Sequence, residues 1–319
     1  LDVHDISVLL NYERGATEPR FRHAKLREVV TAGTFRTILL QTSIWDEAKA
    51  PRTGFVFEKP RFKRNAKEND EPDLPSNMLP QPIPPLLQHL TPKQLETYYW
   101  QARNHDGCFG TVALLQHFLD LFPMSIRLRV RVVEKNKPHE YQILALQRKI
   151  IEFHLMDQKS LTLAAVLPDN KTYVSGSDSP IIHAVIGFPA SNGGSMAVLD
   201  LASLQFGDVG RGFKGRGIFV LEPVEDYLSR LNQYATSNTF ERAKWSDRMT
   251  DAPESDWLRE VARRVKGRWD KRETVHWCGH CGAPPPHDRG LMMCKTCKRA
   301  YYCDAAHQLA AWPFHKHFC

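Results

Sequence analysis

No run of 18 apolar residues occurs in this 319-residue chain, so no transmembrane helix is expected. Cysteine is nearly absent from residues 1–277, where Cys108 stands alone. No internal repeat is found. The Gly-rich, basic stretch 207–217 lacks the lysine-Ser/Thr pattern of a phosphate-binding loop, so that site is not expected. Neither an aromatic-basic RNA motif nor a helix-turn-helix pattern accompanies the net charge of +7. That charge therefore reads as solvated helix faces, although residues 239–319 carry 15 Lys/Arg against 10 Asp/Glu. The start, Leu1-Asp2-Val3-His4-Asp5, does not read as a signal peptide.

What is present is enough apolar material for a large domain plus a small one: 42% hydrophobic residues and 10% aromatics. Residues 1–57 mix short apolar runs, with Val29-Val30 and Thr37–Leu40 reading as strand or short helix. Residues 58–92 are Pro-rich and include the charged run Lys59–Asp73, which reads as a linker or an extended strap. Residues 93–236 read as an α+β main domain. Helices are expected over Lys93–Gln101, Gly110–Phe122 and Val224–Tyr234. In Ser125–Glu134, Ile126, Leu128, Val130 and Val132 alternate with Arg127, Arg129 and Arg131, the pattern of a half-buried strand with a basic outer face. Tyr141–His154 fits helix or strand. Leu161–Leu167, Ile181–Phe188, Ser195–Leu201 and Ile218–Glu222 read as strands. Asn192-Gly193-Gly194 reads as a hairpin turn between the middle two. In the connecting segment 237–277, Glu254–Lys271 reads as a helix, with Trp257, Val261, Val265 and Trp269 on one face.

The last 42 residues hold six of the seven cysteines. They form the pairs Cys278-x2-Cys281, Cys294-x2-Cys297, Cys303-x3-His307 and His315-x3-Cys319. Each pair can present two ligands from one short turn, so two pairs serve one tetrahedral Zn²⁺ and eight ligands imply two ions. Disulfides could use the same cysteines, but the paired spacing argues against them. His276, His280, His287 and His317 are spare histidines, of which His280 competes for the place of His307. Free thiolate ligands without a signal peptide suggest the cytoplasm or nucleus.

The run Tyr301-Tyr302-Cys303, His307-Gln308, Trp312, His315-Lys316 and Cys319 resembles a MYND zinc finger over residues 278–319. His307 stands where that family usually carries Cys. The resemblance implies interleaved ligation: Cys278, Cys281, Cys303 and His307 on one zinc, and Cys294, Cys297, His315 and Cys319 on the other. It also implies a protein-interaction module that takes proline-containing peptides, with Tyr301, Gln308, Trp312, Phe314 and Lys316 as candidate contacts. Trp312 is expected to be a structural plug before a contact. MYND fingers also occur in SET-domain methyltransferases, but Asn104-His105-Asp106-Gly107-Cys108 has one residue too many for their Asn-His-x-Cys motif.

The isolated Cys108 opens an expected helix, where the positive end of the dipole favours thiolate. His183 and Asp200 lie on strands expected to be neighbours. Cys on a helix, His on a strand and Asp on the next strand is an order similar to transglutaminase-like and papain-like cysteine enzymes, over roughly 100–206. There the imidazole takes the thiol proton and the carboxylate orients the ring. Gln101 is a loose candidate for polarising an oxyanion. Singly, each of the three residues reads as a buried thiol, a satisfied core histidine and a strand-end cap. The reading is an α+β main domain with a C-terminal two-zinc finger. Its function is either a protein-recruiting adaptor or a thiol acyltransferase or hydrolase targeted by the finger, with no specific nucleic acid and no membrane among its partners.

Overall fold

A computed structural model describes residues 1–39, 42–48, 50–60, 73–190, 194–238, 243–250, 252–286 and 289–319. The chain begins with helix α1 (Val3–Thr17), whose first turn is capped by the Asp2 carboxylate accepting from Asp5 N. The sequence reading assigns no element here. Val3, Ile6, Val8, Leu9 and Leu10 are all buried, so the helix is covered on most sides and lacks the one-sided stripe that betrays an amphipathic helix. Strands β1 (Lys25–Val30) and β2 (Arg52–Glu58) pair antiparallel. Residues 73–92 lie against helix α2 (Pro92–Arg103). There Asp73 meets Arg103 Nη2 at 2.7 Å with both side chains buried, and Met78 and Leu87 enter the core. Most of the charged run Lys59–Asp73 falls outside the described residues, as do Leu40 of the Thr37–Leu40 run, Asn192 and Gly193 of the expected turn, and His287.

Helix α2 starts on a Thr91/Gln94 capping box. Helix α3 (Cys108–Leu119) begins two residues before the expected start and ends three before the expected end. Strands β3 (Arg127–Glu134) and β4 (Lys137–Leu144) form a hairpin whose turn places Lys135 and Asn136 at positive φ. On β3, Leu128, Val130 and Val132 are buried as alternation requires. Two arginines of its basic outer face are engaged locally: Arg129 forks onto Glu140 at 2.7 and 2.6 Å, and Arg131 reaches Asp2 and Asp5.

The ambiguous run Tyr141–His154 resolves into the end of β4, a turn, and the start of β5 (Lys149–Gln158). Strands β6 (Leu161–Leu167) and β7 (Lys171–Ser175) extend the first sheet, in the order β1-β2-β6-β7. The second sheet contains β8 (Ile181–Phe188), β9 (Ala197–Asp200), β10 (Val220–Pro223), β11 (Ala235–Asn238) and β12 (Lys244–Ser246). Its order is β10-β9-β8-β5-β11, with β12 also on β5. One face buries Ile151, Phe153, Val185, Val198 and Val220 against Tyr227, Leu231 and Tyr234 of helix α4 (Val224–Tyr234). The other face sends Ile150, Ala184, Ile186, Leu199 and Leu221 into the larger core with α1 and α3. Helix α5 (Ser255–Asp270) buries Val261 and Val265 fully, and packs on α1 and α3. Among the described residues, no helix is long and apolar enough to cross a membrane.

The finger follows, with β13 (Met292–Met293) paired to β14 (Tyr301–Tyr302) and the terminal helix α6 (Ala305–His315). Mixed helix and sheet with this C-terminal unit is the α+β class expected.

Candidate functional site

Each Cys-x2-Cys pair sits on a tight turn. In the first, Gly282 N donates to Cys278 O at 2.8 Å and Cys278 N to Ala283 O at 2.9 Å. In the second, Lys298 N donates to Cys294 O at 3.0 Å and Cys294 N to Ala300 O at 2.8 Å. Gly282 has φ +79°, and a Cβ there would lie 2.6 Å from Val8 O and from Tyr12 Cβ, so glycine lets the first turn press onto α1. Asp304 caps α6 by accepting from His307 N at 2.9 Å, which fixes the helix that carries His307 and His315.

The eight ligands gather into two clusters: Cys278, Cys281, Cys303 and His307, and Cys294, Cys297, His315 and Cys319. The spacing within each tests the fit to zinc. Zn–S bonds of about 2.3 Å and Zn–N bonds of about 2.0–2.1 Å at tetrahedral angles require S···S edges of about 3.8 Å and S···N edges of about 3.6 Å. Cys281 Sγ and Cys303 Sγ are 3.7 Å apart, and Cys294 Sγ and Cys319 Sγ 3.8 Å. Cys278 Sγ lies 3.4 Å from His307 Nδ1, and Cys297 Sγ 3.6 Å from His315 Nε2. Two zinc ions, each with three thiolates and one imidazole, match this donor set. His307→Ala is expected to release the first zinc and leave the second. Elemental analysis of the purified variant checks this: two zincs retained would show that His307 is no ligand.

His280, the competing ligand, is used otherwise. Its Nε2 meets Glu96 Oε1 at 2.7 Å. Two nitrogen or oxygen ligands of one zinc would stand about 3.3 Å apart, so this contact is a charged hydrogen bond, not shared metal ligation. Glu96 Oε2 in turn meets Arg211 Nη1 at 2.7 Å. Burial works against the Glu96 carboxylate, but His280 and Arg211 outweigh it and hold its pKa down at about 2. This triad ties the finger to α2 and to the loop after the 3-10 segment Ser203–Gly210. A second tie is aromatic: Phe314 stacks on His4 at 4.3 Å, and Arg131 lies over Phe318 at 5.2 Å.

The second candidate centre lies in the main domain. Strands β8 and β9 pair antiparallel through Ile186↔Leu199 and Gly187↔Val198. Continuing that register puts Asp200 opposite Val185, two residues from His183 and on the same face. The two side chains meet there: His183 Nε2 is 2.8 Å from Asp200 Oδ2. Tyr227 OH donates to the same oxygen at 2.9 Å, and Ala202 N to Oδ1 at 2.9 Å. On the other side of the ring, the Gln205 amide stands 3.1 Å from Nδ1. The Cys108 thiol lies 3.7 Å from Ile182 O, and both nitrogens of His183 are taken by Asp200 and Gln205. Burial pulls the His183 pKa down, but the Asp200 carboxylate and the Cys108 sulfur more than reverse this and lift it to about 10.

Gln101 is aimed elsewhere: its Nε2 donates to Thr162 Oγ1 at 2.8 Å. Gln205 and Tyr227, which hold His183 and Asp200, carry no local sequence signal. Neither does Glu96, which is 184 residues from His280.

No curated protein and no solved structure matches the chain significantly. The likeness of residues 100–206 to transglutaminase-like or papain-like enzymes finds no support in these comparisons. The C-terminal segment, residues 278–319, matches the family model of the MYND finger, and its eight ligands form two zinc sites of four.

Proposed function

We propose that this chain is a zinc-dependent adaptor that recruits proline-containing peptide segments of partner proteins through its C-terminal finger. The observation that carries this reading is the outer side of α6. His307 and His315 are turned to the metal clusters and Phe314 is taken up by His4, yet Leu309 is 60% and Trp312 40% exposed. Met292 and Met293 on β13 are also exposed. An indole held on a metal-built helix offers a flat, rigid face for a proline ring at small entropic cost. Trp312 thus supports contact more than plugging. Of the other candidates, Phe314 packs against the main domain and Tyr301 stacks on His276 at 3.9 Å, which leaves Gln308 and Lys316 beside Trp312. Arg129 and Arg131 of β3 are paired with carboxylates, which supports a protein partner over nucleic acid.

Anisotropy of labelled peptides with spaced prolines tests the proposal. Weak binding that persists as salt rises is expected, with Trp312→Ala weakening it about tenfold, a loss of roughly 1.4 kcal/mol. Equal affinity in wild type and variant would remove Trp312 from the surface. Tight, sequence-selective nucleic-acid binding that survives added salt would overturn the adaptor itself.

A further inference from the structure

The Pro-rich strap has an inner and an outer side. Asp73 is clamped by Arg103, Met78 and Leu87 are buried, and Ile83 packs against the main core. Gln81, Pro82, Pro85 and Leu86 are exposed. Among them Pro84 has φ −60° and ψ 147°, a polyproline II conformation. Residues 74–90 contain no Asp, Glu, Lys or Arg, although 25% of the chain is charged. An uncharged surface segment with spaced prolines, anchored from behind, has the form of a ligand held out for docking.

The chain thus displays two surfaces of matching chemistry. One is the finger face of Trp312, Leu309, Met292 and Met293, and the other is the strap. Within one chain neither covers the other, because Trp312 and Leu86 are both exposed. The strap's anchors on α2 and in the core also hold it where it lies.

We infer that the finger of one copy binds the strap of a second copy, with Pro82, Pro85 and Leu86 laid on Trp312, Leu309 and the two methionines. This rests on the proline-binding reading of the Trp312 face and names a partner for it. The contact joins two different surfaces, so it is heterologous: two copies facing each other make it twice, and copies in a row make it once per step. Ordering costs are small, because the strap is already held extended and the indole already stands on a fixed helix. The strap brings no charge, so the contact is insensitive to salt. Self-association also regulates recruitment. It occupies the face that takes foreign proline segments, so the two compete, and free fingers become scarcer as the chain becomes more concentrated.

The test uses the full zinc-loaded chain in sedimentation velocity over a range of concentrations. Wild type should associate reversibly, and added salt should not reverse it. Trp312→Ala should raise the dissociation constant about tenfold or more, and so should Pro85→Ala combined with Leu86→Ser. All these positions are exposed, so both variants should keep two zincs and the circular dichroism of wild type. An equimolar mixture is decisive. The intact strap of the first variant meets the intact finger of the second, so the mixture should form pairs that neither variant forms alone. A wild type that stays monomeric up to about 1 mM, the weak end of measurable affinity, would overturn the inference. So would a strap variant that associates like wild type, or a mixture no more associated than its parts. A labelled foreign peptide with spaced prolines, added to the same chain, separates two failures. If it binds and the chain does not self-associate, only self-recognition is wrong. If neither occurs, the proline-binding face is wrong as well.

Discussion

Stripping zinc from the whole chain with a strong chelator is expected to release two equivalents of metal and unfold residues 278–319, while the core of residues 93–236 stays folded. The finger's own apolar contribution is small: Ala283 and Tyr302, the ligand cysteines, and Tyr12 and Ala16 borrowed from α1. Structural zinc supplies roughly 10–16 kcal/mol in finger peptides, which is their folding free energy. Without metal, six thiols crowd the same turns with little apolar burial to hold them. The elements beneath the finger have other support. Helix α1 buries Ile6, Leu9 and Leu10 in the main core, and α5 buries Leu258, Val261 and Val265 there. The loss should be felt at one internal place. With His280 gone, Glu96 keeps only Arg211, so amides around residues 203–211 should exchange faster than in the holo chain. Hydrogen exchange with and without chelator reads all three regions. If residues 93–236 lose protection together with the finger, the chain is one cooperative unit and the metal supports all of it. If 278–319 stay protected after both zincs are gone, the finger is not metal-built.

Asp200→Ala should destabilise the chain by about 3–5 kcal/mol, the usual cost of leaving one partner of a buried ion pair uncompensated. Tyr227 OH and Ala202 N lose their acceptor in the same step. The pH dependence supplies a second readout. The folded-state pKa of His183 lies at about 10, above the ordinary imidazole value of 6.5. A raised histidine pKa stabilises the fold fully below the unfolded value, and this contribution fades as pH rises from about 6.5 through about 10. In the variant, the carboxylate that lifts the imidazole is absent and burial dominates, so this alkaline loss should flatten or reverse. Urea unfolding of both proteins between neutral and alkaline pH measures it. A change below about 1 kcal/mol, within the range of an exposed pair, would show that the 2.8 Å contact between His183 and Asp200 is not a buried ion pair in solution.

Legibility followed the range of the physics. The zinc ligands could be read because tetrahedral coordination demands two donors per tight turn, and that demand is met within four or five residues of chain. Strand β3 could be read because alternation is local, and strands 161–167 and 181–188 because they are bounded apolar runs. Helix α1 escaped because burial on most sides erases the periodic contrast on which such reading depends. Strand β7 (Lys171–Ser175) escaped because its residues are half-exposed on a sheet edge and carry little apolar signal. The order of Cys108, His183 and Asp200 was visible along the chain, but the meeting of His183 with Asp200 required a register that no single strand states.

The interleaved division of the ligands was implied by the resemblance to MYND fingers; by itself, the sequence determined two zinc ions, the type of their ligands, and the presence of a mixed helix-and-sheet domain ahead of them. Each of these rests on interactions between near neighbours. Only the tertiary structure decided that His280 is bound to Glu96 and Arg211, that Phe314 packs inward on His4 while Trp312 is left outward, and that Gln205 and Tyr227 hold the His183–Asp200 pair. Those choices depend on which surfaces come together when the finger docks on α1 and α2 and when α4 covers the sheet. Charge pairing and burial between segments far apart in the chain leave no spacing rule behind, because the geometry that joins them is created by packing.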